Sequence, residues 1–176
     1  MVIWIIGLSA SGKTTLGKEI YQLLRRDNPN TVLVDGDEIR KIFKHDEAQQ
    51  AYTIVERRKN ADRICELCAW LDRQNINVVC CILSIFGESQ DWNRRNYSKY
   101  FEVYIDVPMD VLVRREVKGL YRSAIAGETK HVVGIDIPFN PPKNPDYILD
   151  NTEDGANMQK VAIDIIGKIR AKYGSI

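Results

Sequence analysis

The chain has 176 residues, of which 44% are apolar and 28% charged, a composition that fits one soluble globular domain. Its 25 basic and 24 acidic side chains leave a net charge of +1, so the overall charge gives no reason to expect binding to nucleic acid or to a membrane surface. The apolar run at residues 2–6 is too short to span a bilayer and has no basic leader. We therefore expect a cytoplasmic protein.

Apolar runs rich in valine and isoleucine recur along the chain and are nearly continuous, which is typical of strands covered on both faces. We predict strands at residues 2–6, 31–35, 77–83, 101–107 and 147–150. Helical patterns are found at residues 13–26, 37–43, 54–74 and 109–117, and from residue 158 to 169. This alternation predicts an α/β fold with a parallel sheet and helices on both faces, in one domain spanning residues 1–176.

The four cysteines raise the question of a metal site or redox chemistry. Cys65 and Cys68 form a C-x-x-C pair, but they lie in a helical pattern. Cys80 and Cys81 are adjacent in a predicted strand and therefore point to opposite faces of the sheet. We expect all four to be reduced core residues, with a metal site or a disulfide as the less favoured interpretation.

The stretch GLSASGKT at residues 7–14 matches the pattern G-x-x-x-x-G-K-[ST] and lies between a predicted strand and a predicted helix. In that context the backbone amides and the helix N-terminus surround phosphate oxygens. Lys13 can reach the β- and γ-phosphates, and the Thr14 hydroxyl can ligate Mg²⁺. We predict a nucleotide site formed by Gly7, Ser9, Ser11, Gly12, Lys13, Thr14 and Thr15, with a functionless glycine-rich turn as the competing interpretation.

The stretch VDGDEIR at residues 34–40 brings carboxylates to the end of the second strand. Asp35 and Asp37 are expected at the carboxyl edge of the sheet, where ligands bind in open α/β folds. A carboxylate there can orient Mg²⁺ or accept a proton from an attacking hydroxyl, and Arg40 can bind an anion bidentately. A simple Asp-Gly turn, with Asp37 as a helix cap, explains the same residues equally well.

Two further segments are predicted to be loops beside this edge. Residues 82–89, ILSIFGES, have the pattern of a buried strand that opens into a loop, with no charge before Glu88. Residues 117–145 combine three glycines with four prolines, and no second core lies beyond them. We predict that this second segment is a lid over the active site rather than a linker between domains.

Together these segments resemble the adenylylsulfate kinase family, whose members use ATP to phosphorylate the ribose 3′-hydroxyl of adenosine 5′-phosphosulfate. The resemblance covers about residues 2–150 and rests on GLSASGKTT, VDGDEIR, ERRKNADRI, KGLYRSAIAGETK and GIDIPFNPPKNPD, in the family's order and near its spacing. It implies a P-loop kinase fold with a five-stranded parallel sheet and a mobile lid. It also implies ATP and Mg²⁺ as cofactors, a small nucleotide as acceptor, and a homodimer.

Matched by position, the resemblance assigns roles to individual residues. It implies that Asp37 lies beside the acceptor hydroxyl and that Lys13 and Lys118 are further catalytic residues. Tyr52 occupies the place of a family phenylalanine that stacks on the acceptor base. The acceptor-binding set is then Asp35, Arg40, Tyr52, Arg57, Asn60, Ser84, Ile85, Phe86, Lys118 and Leu120. Arg58 and Lys59 are interpreted as part of a solvated helix face.

The departures from the family lie on the acceptor side. A second lid aromatic is replaced by Val132, and the family's Ile-Ser-Pro-Tyr-Arg is replaced by Leu-Ser-Ile-Phe-Gly at residues 83–87. Glu38 replaces an asparagine, and the segment between Arg40 and Tyr52 is about two residues longer. Stacking on an aromatic ring contributes about 1–3 kcal/mol and a charged hydrogen bond about 1.5–3 kcal/mol, so these losses would weaken binding of the usual acceptor.

These departures leave the acceptor open. Cytidine diphosphoramidate kinases of bacterial capsule synthesis resemble the same family and phosphorylate the same hydroxyl, so we keep this acceptor beside adenosine 5′-phosphosulfate, the family default. A different small-molecule kinase, a nucleotide switch without an acceptor and an inactive homologue would share the phosphate loop. The KGLY lid segment disfavours the first of these three, and the intact Lys13, Thr14 and Asp37 disfavour the last.

Overall fold

The computed structural model describes residues 1–44, 51–153 and 155–174. Its centre is a five-stranded sheet in which every neighbouring pair of strands is parallel. The strands are β1 (Val2–Ile6), β2 (Thr31–Asp35), β3 (Asn77–Ile82), β4 (Tyr100–Asp106) and β5 (Tyr147–Asp150), and their order across the sheet is β2-β3-β1-β4-β5. The predicted α/β fold with a parallel sheet is confirmed.

Seven helices accompany the strands in the described residues. They are α1 (Lys13–Asp27), α2 (Gly36–Ile42), α3 (Ile54–Arg73), α4 (Gly87–Asn96), α5 (Met109–Arg115), α6 (Leu120–Ile125) and α7 (Met158–Tyr173). Within the described ranges, no helix combines the length and apolar character needed to cross a membrane.

Helices α4 and α6 are absent from our sequence predictions. Helix α4 buries Ser89, Gln90 and Asn93, so it has no apolar stripe for a periodicity argument to detect. Helix α6 has six residues and lies in the glycine-rich segment predicted to be a lid. The predicted loop at residues 82–89 is therefore shorter than expected, because helix α4 begins at Gly87.

The core has two layers because side chains alternate across the sheet. Ile3 and Ile5 of β1 belong to the layer that includes α1 and α7, whereas Val2, Trp4 and Ile6 belong to the layer that includes α3. The central strand is buried along its whole length. The sheet is therefore covered on both faces, as the continuous apolar runs predict.

The cysteines take the structural role expected of them. All four are buried and none forms a disulfide, and Cys80 and Cys81 lie in opposite core layers. Burial raises the pKa of Cys65 to about 12 and that of Cys81 to about 12. These thiols are therefore protonated at neutral pH, in keeping with the interpretation as core residues.

Candidate active site

The carboxyl ends of the strands meet at one edge of the sheet and bring the predicted segments together. Strand β1 leads into the phosphate loop, β2 ends at Asp35, and β3 leads into residues 83–86. Strand β1 lies at the centre of the sheet, with β3 and β2 on one side and β4 and β5 on the other. This is the switch point at which ligands bind in open α/β folds.

The phosphate loop has the local geometry that its sequence predicts. Gly12 has a φ of +100° at the start of α1, a conformation that favours glycine. The Lys13 Nζ donates a hydrogen bond to the Leu8 carbonyl oxygen at 2.7 Å. Burial lowers the pKa of Lys13 to about 8, and the neighbouring Asp37 and Asp35 carboxylates oppose this shift. The loop therefore holds a poorly solvated ammonium group close to its own backbone.

Thr14 and Asp35 form a pair of oxygen ligands beside this loop. The Thr14 hydroxyl donates to Asp35 Oδ2 at 2.8 Å, and Asp35 Oδ1 accepts from the Asp37 amide at 2.9 Å. Asp35, not Asp37, is thus the N-cap of α2. Hydroxyl and carboxylate oxygens are ligands that Mg²⁺ prefers, so the pair fits this ion.

The capping arrangement leaves the Asp37 carboxylate exposed at the sheet edge. Among residues 1–44, 51–153 and 155–174 it has no hydrogen bond or ion pair. It is nevertheless close enough to Lys13 to influence the pKa of that ammonium group. Asp37 is therefore available to a ligand hydroxyl near the phosphate loop.

Two guanidinium groups lie close to the Tyr52 ring. The guanidinium carbons of Arg40 and Arg57 lie 4.9 and 5.4 Å from the ring centroid. Arg40 donates to the Ala51 carbonyl oxygen at 2.9 Å, and Arg57 to the carbonyl oxygens of Tyr52 and His131, both at 2.8 Å. Burial, followed by the charge of Arg40, lowers the pKa of Arg57.

Neither Arg40 nor Arg57 forms an ion pair with a carboxylate in the described part of the chain, and residues 45–50, part of the longer segment, lie outside it. Adjacent cations without a carboxylate partner are costly to bury, because each disfavours the charge of the other. An anion placed beside Tyr52 would remove this cost. The cluster is therefore a candidate site for a ligand that combines an aromatic ring with a negative charge.

Several site residues also hold buried polar atoms that have no hydrogen-bond partner among the described residues. These atoms are Ser11 Oγ, Arg40 Nε and Asn60 Oδ1. Buried polar groups are normally paired, because an unpaired group loses its hydration without compensation. Three predicted binding residues thus retain hydrogen-bonding capacity that a ligand can use.

The loop after β3 forms a further wall at this edge of the sheet. Ser84 is buried and accepts a hydrogen bond from Gln90 at 3.4 Å, while Ile85 and Phe86 are half-buried. The Arg58 guanidinium carbon lies 4.0 Å from the centroid of the Phe86 ring. The interpretation of Arg58 as part of a solvated face is therefore incomplete. Lys59 does remain on the surface, where it pairs with Glu56 at 2.7 Å.

The predicted lid contacts both the phosphate loop and α3. The Tyr121 hydroxyl donates to the Ser9 carbonyl oxygen at 3.1 Å, and Arg57 reaches the lid at His131. Lys118 is exposed, and its ammonium group has no partner in the described residues. Leu120 begins α6 and packs partly against the core.

Sequence reasoning missed the connection between β5 and α7. The Asn151 side-chain amide donates to the Ser11 carbonyl oxygen at 2.9 Å, and Arg115 donates to the carbonyl oxygens of Asn151 and Thr152 at 2.6 and 3.1 Å. These contacts connect the phosphate loop to the segment that follows β5 and hold that segment in place. No motif or periodicity in the sequence marks Asn151 or Arg115.

The fold agrees with comparisons to known proteins. Residues 1–150 match the family described as adenylylsulphate kinase. The chain belongs to this family. Its members act on nucleotides as ATP-dependent phosphotransferases, and this chain is therefore a nucleotide kinase of the adenylylsulfate kinase type.

Individual members of the adenylylsulfate kinase family share about a third of their residues with this chain. A cytidine diphosphoramidate kinase of Campylobacter jejuni is 36% identical over 151 residues, which are 86% of each chain. An adenylyl-sulfate kinase of a Synechococcus strain is 35% identical over 153 residues, 87% of this chain and 86% of the relative. The Mycobacterium tuberculosis APS kinase, solved with AMPPNP and APS, has a TM-score of 0.82 at 29% identity and 96% coverage of both chains.

Proposed function

We propose that this kinase transfers the γ-phosphoryl group of ATP to the ribose 3′-hydroxyl of a nucleotide that carries an anionic tail, with adenosine 5′-phosphosulfate as the family default. The observation that carries the proposal is the pair of guanidinium groups, Arg40 and Arg57, which lie within 5.4 Å of the Tyr52 ring centroid and have no carboxylate partner in the described residues. A nucleotide supplies both the aromatic base and the negative charge that this cluster can bind.

The residues can be assigned to steps of an in-line phosphoryl transfer, in which positioning and charge stabilisation provide most of the catalysis. The backbone of residues 7–14 and Lys13 bind the phosphates. Thr14 and Asp35 would hold Mg²⁺, which when bound neutralises phosphate charge. Asp37 orients or deprotonates the acceptor hydroxyl. Lys118 approaches the transferred phosphoryl group from the lid, which excludes water.

Cytidine diphosphoramidate is the second candidate acceptor. Val132, which replaces the family's second lid aromatic, is only 3% exposed and packs within the core, so it cannot serve as a second stacking surface for a base. Cytosine is smaller than adenine, so its binding loses less stacking free energy when that second aromatic surface is absent. Relatives named for the two acceptors are 36% and 35% identical to this chain, so sequence identity supports both acceptors equally.

The biological setting follows from the acceptor. Turnover of adenosine 5′-phosphosulfate would place the enzyme in sulfate assimilation, and turnover of cytidine diphosphoramidate in capsule biosynthesis. Because the proposed reaction consumes ATP, we propose that it takes place in the cytoplasm. We also propose that residues 1–176 form a single domain and that the enzyme is a homodimer, as the family resemblance implies.

An ADP-release assay tests the proposal. Purified enzyme receives ATP and Mg²⁺ with adenosine 5′-phosphosulfate, with cytidine diphosphoramidate, or with no acceptor. We expect one acceptor to stimulate ADP release strongly. We also expect Asp37→Ala and the isosteric Asp37→Asn to lose at least about 100-fold of that stimulated rate, since a positioned general base contributes about 10²–10⁴-fold. Slow ATP hydrolysis that neither acceptor changes would contradict the proposal and favour a nucleotide switch.

A further inference from the structure

The loop after β3 contains no positive charge of its own. Its residues 83–86 are Leu-Ser-Ile-Phe, and the nearest charged side chain along the chain is Glu88. The structure brings a cation to it from another element. Arg58, in the first turns of α3, places its guanidinium carbon 4.0 Å from the centroid of the Phe86 ring. This wall of the proposed acceptor site therefore obtains a guanidinium group through a tertiary contact.

The contacts of Arg58 orient its guanidinium without burying it. Nη2 donates to Glu88 Oε2 at 3.1 Å, and Nη1 donates to Ser89 Oγ at 3.3 Å. The Arg58 and Glu88 side chains are 37% and 78% exposed, so their ion pair is weak and both groups remain hydrated. A guanidinium has more N–H donors than these two contacts use. Arg58 can therefore bind an incoming anion while its contact with the Phe86 ring holds the guanidinium group in position.

Two consecutive arginines of α3 contact two different parts of the proposed acceptor site. Arg57 contacts Tyr52 and the lid at His131, whereas Arg58 contacts Phe86. A base stacked on Tyr52 and a tail directed toward Phe86 would place one cation near each part of the acceptor. A nucleotide that ends at its 5′-phosphate would have fewer atoms to present to the second cation.

We propose that Arg58 binds the anionic tail of the acceptor and determines specificity for a tailed nucleotide over the plain 5′-monophosphate. This inference rests on the proposed function and adds to it the residue that recognises the tail. The chemistry is that of a guanidinium fork with two oxygens of a sulfate or phosphoramidate group. Arg58 acts by binding this group, so its effect belongs in acceptor affinity and not in the chemical step.

Isothermal titration calorimetry with four ligands tests this role. Adenosine 5′-phosphosulfate and cytidine diphosphoramidate are compared with AMP and CMP. For Arg58→Ala we expect the tailed acceptor to bind about 10- to 100-fold more weakly, the effect of losing a hydrogen bond to a charged group, with little change for its monophosphate. Arg58→Lys should recover part of the loss, because it restores the charge without the planar fork.

Lys59→Ala is the matched control, since it removes a neighbouring cation that pairs with Glu56 on the surface. It should leave all four affinities unchanged. An equal loss for tailed and tailless ligands in Arg58→Ala would show that Arg58 only braces the loop, and would overturn the inference. If the wild type binds a tailed acceptor but releases no ADP, the proposed function fails while the binding role of Arg58 stands. If it binds neither tailed acceptor, both fail.

Discussion

At the scale of single residues, the candidate site at the carboxyl edge of the sheet combines groups whose environments depend on their neighbours. Asp35 and Asp37 are two positions apart, yet one caps α2 and accepts from Thr14 while the other is exposed. A carboxylate held by two donors is suited to a metal, and a carboxylate without a partner is suited to a substrate hydroxyl. Sequence spacing alone left these two assignments open.

Lys13 leads to a pH-dependent prediction. Burial lowers its pKa to about 8, so at pH 9 about 0.9 of the free enzyme holds it neutral. Phosphate oxygens favour the charged form, so nucleotide binding raises this pKa and takes up a proton. We expect an uptake of up to about 0.9 proton at pH 9 and little from this group at pH 7. Isothermal titration calorimetry of AMPPNP binding, in buffers of different ionisation enthalpy, measures the number of protons taken up.

Lys13→Arg serves as the control for this proton uptake. A guanidinium keeps its proton at pH 9, so the variant should bind AMPPNP without the additional uptake. The same uptake in the wild type and in Lys13→Arg would assign the proton to another group.

At the scale of elements, the predicted lid is held at two points, near its beginning and near its middle. Tyr121 in α6 contacts the phosphate loop, and the turn around His131 contacts α3 and is closed by Asp136, which accepts from the amides of His131 and Val132. Arg57, a predicted acceptor-binding residue, also supplies the contact at His131. If Arg57 binds the acceptor as proposed, acceptor binding and lid position would be coupled through this one side chain.

A substitution at Gly134 tests how tightly the predicted lid packs against Met109 and the phosphate loop. It has a φ of +94°, and a Cβ there would lie 2.5 Å from Met109 Cε and 3.4 Å from Leu8 Cδ1. We expect Gly134→Ala to lower the free energy of unfolding by about 1–3 kcal/mol and to make the lid more sensitive to protease. Urea unfolding and limited proteolysis measure the two effects.

Gly127 provides the matched control within the same lid. Its φ is +80°, but a Cβ there would meet nothing within 4 Å. Gly127→Ala therefore carries the backbone strain without the steric contact, and should cost about 1–2 kcal/mol without exposing the segment around Gly134. Equal effects of the two substitutions would show that the contact with Met109 and Leu8 contributes nothing to lid docking.

At the scale of the whole molecule, a polar network connects strand β4, helix α4 and the segment that precedes β5. Glu102 of β4 is 1% exposed and accepts from Arg94 of α4 at 3.1 Å and from the Tyr100 hydroxyl. Arg94 also contacts Asp146 and the Asn144 carbonyl oxygen, just before β5. Desolvation raises the pKa of Glu102, so this carboxylate depends on its partners to remain charged.

Arg94→Ala should therefore be strongly destabilising. Removing one partner of a buried ion pair leaves an uncompensated charge and typically costs about 3–5 kcal/mol, and the partial exposure of Arg94 places our expectation at the lower end. Urea unfolding measures the loss. Arg114→Ala, which removes an exposed pair with Asp110 on α5, should cost at most about 1 kcal/mol. Similar losses for both variants would show that burial of Glu102 adds nothing.

Local patterns in the sequence determined the fold class and predicted much of the candidate site. Continuous apolar runs required a sheet covered on both faces, and the glycine-lysine motif between a strand and a helix identified the phosphate loop. These signals can be read without the fold because they depend on residues that are neighbours in the chain. The same patterns did not reveal α4, whose buried residues are polar, or α6.

Only the tertiary structure decided which distant side chains share the site. The contacts of Arg58 with Phe86, of Tyr121 with Ser9 and of Asn151 with Ser11 join residues from different elements. Such contacts depend on how helices and loops pack over the sheet edge, which spacing along the chain does not encode. Arg58 and Lys59 are adjacent basic residues on one helix, and packing against the β3 loop alone distinguishes the proposed binding residue from the surface cation.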